Sequence, residues 1–225
     1  MAAGRAHGPL PVLLVGLTVV TGLVDAFSYL SLGHVFVANM TGNVVFLGFG
    51  LAGIGDIAIG ASLVAILAFI LGAALGGRWA VDRAPHRGRL LAAAATVQSV
   101  LVVAAATVAE TAGVGGSAAR LTLVGTLAVA MGGQNAIARR LAVPDLTTTV
   151  LTLTVTGLVA DATSWAVRLR RLVPVIAMLG GALAGGALLR WVSTPAPLWL
   201  AAVLLASCAL IAHAATRRPQ SQAWK

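Results

Sequence analysis

Residues 172–189, LVPVIAMLGGALAGGALL, run for 18 positions without a charged side chain. A helix needs about 20 predominantly apolar residues to cross the hydrocarbon core of a lipid bilayer. Residues 90–109 and 121–138 are uncharged in the same way. These three stretches predict membrane-spanning helices, and they therefore decide the fold class.

The composition of the whole chain agrees with a membrane protein. Hydrophobic residues make up 59% of the 225 positions and charged residues only 9%, whereas soluble domains carry about 25% charged residues. The formal net charge is +9, but the basic residues lie in short clusters between apolar runs, as orientation signals do at a cytoplasmic membrane face. We therefore expect the lipid bilayer as the main partner and no nucleic acid.

Six segments are long and apolar enough to be full spans. They are residues 10–31, 57–77, 90–110, 119–138, 172–191 and 197–215. Prolines lie near several of the predicted starts, where the missing N–H is harmless. These prolines are Pro9, Pro11, Pro174, Pro195 and Pro197.

Residues 33–53 and 143–160 fit a membrane less well than the six spans. The first segment contains Asn39 and Asn43, and the second is rich in threonine. Each can cross the bilayer as a full span, which would give eight helices. Each can also enter the membrane and return to the same side as a short broken segment.

The positions of the 15 Lys and Arg residues distinguish these two topologies. With the N-terminus inside and eight crossings, seven of the 15 fall outside; with two returning segments, only Arg120 and Arg190 do. Basic residues in short loops prefer the cytoplasmic side. The sequence therefore predicts an all-α, polytopic membrane helical bundle of six spans and two short broken or re-entrant segments, with both termini in the cytoplasm.

The six-span topology also predicts an inverted repeat. Each half becomes span, broken segment, span, span, and three crossings place the second half in the opposite orientation. Asp25 aligns with Asn135 at an offset of 110 positions, and Thr41 aligns with Thr152 at 111. We predict a single transmembrane domain over residues 1–225, with repeat halves at 8–112 and 117–216.

The run TGLVDAFSYLSLG at residues 21–33, continued by VFVANMTGN at residues 35–43, resembles the YoaK-like family of bacterial transmembrane proteins. GGQNA at residues 132–136 and the threonine-rich segment are also similar to that family. The family is a domain of unknown function. The resemblance extends over most of the chain and implies a multi-pass protein of the bacterial cell (inner) membrane, but it implies no substrate, reaction or site.

Asp25 is the only formal charge that lies more than one residue inside a predicted span. A carboxylate in the hydrocarbon region is costly unless it is paired, protonated or hydrated, so it is a functional candidate. Two structural roles remain open for Asp25. It can reach interfacial water near the end of its helix, or it can cap backbone N–H groups of the segment that follows.

Other polar residues have similar alternatives. Broken segments expose backbone groups that are tolerated at membrane depth only inside protein or along a cavity. Asparagines there can satisfy that backbone or line a solute path, amides within a span can bond between helices, and threonines can bond to their own helix. The residues that we predict to line a path between the two halves are Asp25, Asn39, Thr41, Asn43, Gln134, Asn135, Thr152 and Thr154.

The predicted function is a bacterial inner-membrane transporter or channel for an unidentified small solute or ion, proton-coupled if Asp25 takes up and releases a proton. The alternative is a non-transporting scaffold, sensor or accessory subunit. The four histidines are scattered and no catalytic motif is present, so we expect no enzyme, metal site or cofactor. Gly72 with Gly76 and Gly181 with Gly185 predict close helix contacts, either within one bundle or in a homo-oligomer.

Overall fold

The computed structural model describes residues 10–54, 58–82, 86–141, 151–161 and 164–217. The regular elements in these ranges are α-helices. In chain order they are α1 (Leu10–Ser31), α2 (Met40–Leu51), α3 (Ile59–Asp82), α4 (Arg87–Thr111), α5 (Ser117–Leu141), α6 (Leu151–Ala160), α7 (Trp165–Trp191) and α8 (Ala196–Thr216).

Six of these helices are long and apolar enough to cross a membrane, namely α1, α3, α4, α5, α7 and α8. The other two are short: α2 has 12 residues and α6 has 10. At about 1.5 Å per residue, neither reaches across a hydrocarbon core of about 30 Å with its described residues. The predicted all-α polytopic bundle is therefore confirmed, while residues 143–150 of the second broken segment lie outside the described residues.

Helix α7 begins at Trp165, seven positions before the predicted start at residue 172. The prediction that Pro174 lies near a helix start is therefore wrong, because this proline is inside α7. The charges of Arg168 and Arg171 ended the apolar pattern, but the helix itself continues through them. Long arginine side chains near a helix end can carry their charge to the interface while the backbone stays helical.

Helices α1 and α5 occupy the centre of the bundle. Of the 18 consecutive residues that are most apolar in each helix, 67% are buried in α1 and 56% in α5. In α3 and in α7 the corresponding share is 22%. Helix α1 packs against α7 and α8, α5 packs against α3 and α4, and α4 also packs against α8. The short helices lie on outer ones, α2 on α3 and α6 on α7. Polar residues of α1 and α5 are therefore placed in the interior.

Glycines allow two of these helix pairs to touch through their backbones. A side chain at Gly22 of α1 or at Gly181 of α7 would collide with backbone atoms of the partner helix. The same holds for Gly72 of α3 and Gly132 of α5. The glycine pairs noted in the sequence thus serve contacts within one chain.

Candidate functional site

A stripe of polar side chains runs along the buried face of α1. Thr18, Thr21, Asp25 and Ser28 follow one another at spacings of three and four residues, which places them on one side of a helix, and all four are buried. The three hydroxyls donate to carbonyl oxygens of their own helix. Asp25 is the charged member of the stripe, and its side chain reaches the segment that follows α1.

The carboxylate of Asp25 binds the chain that connects α1 to α2. Its Oδ1 accepts hydrogen bonds from the backbone N–H of Val37 at 3.0 Å and of Ala38 at 2.9 Å. Its Oδ2 is buried and has no hydrogen-bond partner among the described residues. One oxygen therefore has the capping role that the sequence left open, and the other is free to hold a proton or a ligand atom.

Asn43, in the first turns of α2, binds the same connecting chain. Its Oδ1 accepts from the backbone N–H of Phe36 at 2.9 Å, and its Nδ2 donates to the carbonyl oxygen of Phe36 at 2.6 Å. The side chain is fully buried. Asp25 and Asn43 together satisfy backbone groups of the irregular segment 36–38, as polar backbone at membrane depth requires.

The local sequence explains why the chain turns here. Helix α1 ends at Ser31, and Gly33 follows with a φ of +91°, a conformation that glycine adopts without strain and that commonly terminates helices. The irregular stretch that follows passes beside the last turns of α1, where Asp25 accepts from Val37 and Ala38. Asp25 and Asn43 are thereby brought to opposite ends of the segment 36–38.

A second polar contact joins three helices. The Nε2 of Gln134 on α5 donates to Thr21 Oγ1 on α1 at 2.9 Å, and the Nε2 of Gln98 on α4 donates to Gln134 Oε1 at 2.5 Å. All three side chains are buried. Thr21 lies one helical turn before Asp25, so this chain of hydrogen bonds ends next to the carboxylate on α1.

The eight residues predicted from sequence do not form one cluster. Four are near the start of α2: Asp25 and Asn43 hold the connecting chain, Asn39 is the N-cap residue without a side-chain cap bond, and Thr41 is exposed. Gln134 and Asn135 lie on α5, where Asn135 Nδ2 donates to the carbonyl oxygen of Met131 at 2.9 Å.

The last two predicted residues, Thr152 and Thr154, lie on α6, which packs on α7. Thr152 is exposed, and its carbonyl oxygen accepts the hydroxyl of Thr156 at 2.9 Å. This is the bond to the helix backbone that was expected for threonines. That the eight residues line one path stays a prediction.

A cavity of about 360 Å³ lies between α3, α4 and α5, a volume within the usual range for small-molecule sites. Its wall is apolar except for the amides of Gln98 and Gln134 and the indole of Trp79. Of the eight predicted residues it borders only Gln134. The lining residues are Gly72, Leu75, Gly76, Trp79, Ala94, Val97, Gln98, Leu101, Val129, Ala130, Gly133, Gln134 and Ile137.

Sequence analysis missed Thr21 and Gln98, although both left a signal. Thr21 shares the helical face of Asp25, at a spacing of four residues. Gln98 is the one amide in the uncharged stretch 90–109, and polar groups in a span are candidates by the reasoning that identified Asp25. Polar residues three or four positions from another polar residue on the same predicted helix should therefore also be treated as candidates.

The chemistry available in this interior is hydrogen bonding and proton exchange. In the ranges that the structure describes, no three His, Cys, Asp or Glu side chains are grouped as a metal site requires. Cys208 is buried and its sulfur lies against Gly16.

Comparison with known proteins agrees with the resemblance of the motifs. The model of a family described as protein of unknown function (DUF1275) matches residues 13–211. The UPF0700 transmembrane protein YoaK of Bacillus subtilis (strain 168) is 48% identical over 60 residues, which are 27% of this chain and 27% of that protein. No solved structure matches. The predicted YoaK-like membership is confirmed, and with it a multi-pass membrane protein.

Proposed function

This chain belongs to the DUF1275 family of proteins of unknown function, and we propose that it is a bacterial inner-membrane transporter for a small solute, built from two inverted halves. One observation carries the proposal: the same close helix contact occurs twice, at equivalent positions of the two halves.

The first side is a glycine on a central helix. A side chain at Gly22 of α1 would meet the carbonyl oxygen of Met178 on α7, and one at Gly132 of α5 would meet the carbonyl oxygen of Phe69 on α3. Gly132 lies 110 positions after Gly22, and Met178 lies 109 positions after Phe69. The α1–α7 and α5–α3 contacts therefore correspond residue by residue.

The second side is a glycine on an outer helix. A side chain at Gly181 of α7 would meet the carbonyl oxygen of Val19, and one at Gly72 of α3 would meet the carbonyl oxygen of Val129. Gly181 lies 109 positions after Gly72, and Val129 lies 110 positions after Val19. The agreement at both sides supports repeat halves related by the offset that the sequence motifs indicated.

In this arrangement the first span of each half packs on the third helix of the other half. Three spans per half reverse the orientation of the second half, as in many secondary transporters. Opening one of the two equivalent contacts while the other stays closed would expose the interior to one side of the membrane at a time. The excess of arginines on one side of the predicted topology supports cytoplasmic termini.

Asp25 supports coupling to protons. Its Oδ2 is buried without a partner in the described part of the chain, and a carboxyl group in that position can accept a proton without disturbing the bonds at Oδ1. Replacing Asp25 by Asn keeps an acceptor oxygen for Val37 and Ala38 but removes the protonation site. This variant therefore separates transport from folding.

The test is flux in proteoliposomes. Small metabolites and ions that raise the melting temperature of the purified protein are offered across a pH gradient. We expect saturable flux of at least one, and at least tenfold slower flux in Asp25→Asn. The matched control is Glu110→Gln, because Glu110 is an exposed carboxylate that accepts the Trp199 indole N–H at 2.9 Å. Absence of flux for every stabilising solute would contradict the proposal.

A second candidate, a non-transporting scaffold, sensor or accessory subunit, is favoured by a different observation. Asp25 Oδ1 and the whole Asn43 amide are engaged by the backbone of residues 36–38, which is a closed structural arrangement. The two candidates differ in whether α1 and α7 separate. We expect spin labels at Leu30 and Val192, in a Cys208→Ala background, to report two distances for a transporter and one for a scaffold.

A further inference from the structure

We propose that the groove between α3, α4 and α5 binds one acyl chain of an anionic phospholipid from the surrounding bilayer, with the headgroup held by Arg87 and Arg140. This site is distinct from Asp25 and does not depend on transport. Three features of the groove support this proposal: its lining, the direction in which it opens and the charges at its end.

The lining is suited to hydrocarbon. Each of the two amides that line it already donates a hydrogen bond within the protein, Gln98 to Gln134 and Gln134 to Thr21. A ligand therefore need not supply hydrogen bonds to them. The volume of about 360 Å³ is within the usual range of small-molecule sites, so part of an acyl chain can lie in it.

The groove opens sideways, between α3 and α4. Leu75 and Val97 stand at its margins and are 53% and 57% exposed. Both belong to helices that are long and apolar enough to span a membrane, so exposed side chains in their middle face lipid. A chain of the bilayer can therefore enter from the side, where a water-soluble ligand has no access.

The groove leads to a cluster of arginines at one end of the bundle. On α5, Arg140 follows the lining residue Ile137 by three positions, and on α4, Arg87 precedes the lining residue Ala94 by seven. Both spacings keep the two residues of each pair on one helical face. Trp79 lines the groove near the same end, at the depth where interfacial aromatics are favoured.

Arg87 and Arg140 form no ion pair with a side chain that the structure describes. The ion pair among those side chains is between Arg171 and Asp161, beside α6 and α7. Arg78, Arg89 and Arg139 lie on the same helix ends. Basic clusters between spanning helices bind anionic lipid headgroups, so the headgroup and the chain are recognised by adjoining parts of one site.

The test is lipid binding to the purified, delipidated full-length protein, measured by native mass spectrometry with titrated phosphatidylglycerol, phosphatidylcholine or a free fatty acid. We expect phosphatidylglycerol to bind at least tenfold more tightly than the other two. Equal binding of phosphatidylcholine, or of the free fatty acid, would overturn the anionic phospholipid as the occupant.

Two variants locate the site. Gly133→Leu fills the groove, because a Cβ at Gly133 makes only an ordinary contact at 3.6 Å from the Gly72 oxygen; we expect at least tenfold weaker binding. Its control is Gly180→Leu, at a glycine with open space around it. Unchanged phosphatidylglycerol affinity in a folded Gly133→Leu protein would exclude the groove.

The double variant Arg87→Gln with Arg140→Gln tests the headgroup contact and does not depend on core packing. We expect about 30-fold weaker phosphatidylglycerol binding, since each basic residue near an anionic surface is worth about 1 kcal/mol. Phosphatidylcholine binding should not change. The control is Arg190→Gln at the opposite end of the bundle, and an equal loss in that control would overturn the assignment to Arg87 and Arg140.

Discussion

Helices α2 and α6 are the two short helices of the bundle, and they are attached in opposite ways. The approach to α2 is held by Asp25 and Asn43, both buried and bonded to backbone. Helix α6 is held by Arg171, whose Nη1 donates to the Gly157 carbonyl oxygen at 2.5 Å and to Asp161 Oδ2 at 2.6 Å, and half of the Asp161 side chain is exposed.

The two attachments differ in the interaction that stabilises them. A buried acceptor that is removed leaves N–H groups unsatisfied, which costs about 1–3 kcal/mol for each group. An exposed ion pair is weakened by water and contributes about 0–1 kcal/mol. Around α2 there is also a stack of aromatic rings, with the ring centres of Tyr29 and Phe36 4.9 Å apart. We therefore infer that α2 is the firmly attached helix and α6 the readily detached one.

Asp25→Ala should give the largest effect. It leaves the Val37 and Ala38 N–H groups without an acceptor, so we expect the free energy of unfolding to fall by about 2–5 kcal/mol. The measurement is an SDS titration in mixed micelles, with Asp25→Asn as the control that retains an acceptor. Equal losses in the two variants would mean that the charge, rather than the acceptor, supports the connecting chain.

Asn43→Ala should come next. It removes both bonds to Phe36 and leaves a buried space, and we expect a loss of about 2–4 kcal/mol in the same titration. Asn39→Ala is the matched control, since Asn39 makes no side-chain cap bond. A smaller loss at position 43 than at position 39 would break the comparison on the α2 side.

Gln134→Met tests a polar contact away from both short helices. The side chain keeps its length but loses its bonds to Thr21 and Gln98, and interhelical hydrogen bonds in membranes average below about 1 kcal/mol. We expect a decrease of about 1 kcal/mol in the free energy of unfolding. A loss as large as that of Asp25→Ala would show that buried amides matter as much as the α2 attachment.

Arg171→Gln should have the smallest effect on global stability, below about 1 kcal/mol. It should nevertheless release α6, which is detectable as faster backbone hydrogen exchange in Leu151–Ala160 while Met40–Leu51 is unchanged. Arg190→Gln, in the last turn of α7, serves as the control. Unchanged exchange in α6 would contradict the inference that the exposed pair attaches it.

The spans could be predicted because the physics that defines them is local. An uncharged run of about 20 residues identifies a spanning helix, and α1 was predicted at both ends. The start of α7 was not, because a helix can continue through Arg168 and Arg171 when their side chains reach the interface. Charge counting predicted two short segments in place of two further spans, because it uses loops that hydropathy ignores. Among the described residues six helices are long and apolar enough to cross, while the return of the short segments to one side stays a prediction.

The candidate site was only partly predictable. Asp25 and Asn43 were identified because a polar side chain at membrane depth must have a partner, but the sequence does not say that the partner is backbone of residues 36–38. Gln98 and Thr21 meet Gln134 across three helices. That meeting depends on helix packing, which periodicity in a single sequence does not reveal.

The pairing of α1 with α7 also has a consequence for synthesis. The contacts of Asp25 are made within 13 positions of chain, so they can form soon after α2 emerges. The face of α1 that contains Gly22 can pack only after α7 has been synthesised, and α7 begins at Trp165. At about 5–20 residues per second, that face spends roughly ten seconds or more in the membrane without its partner, and an insertion chaperone that shields small-residue faces would act in this interval.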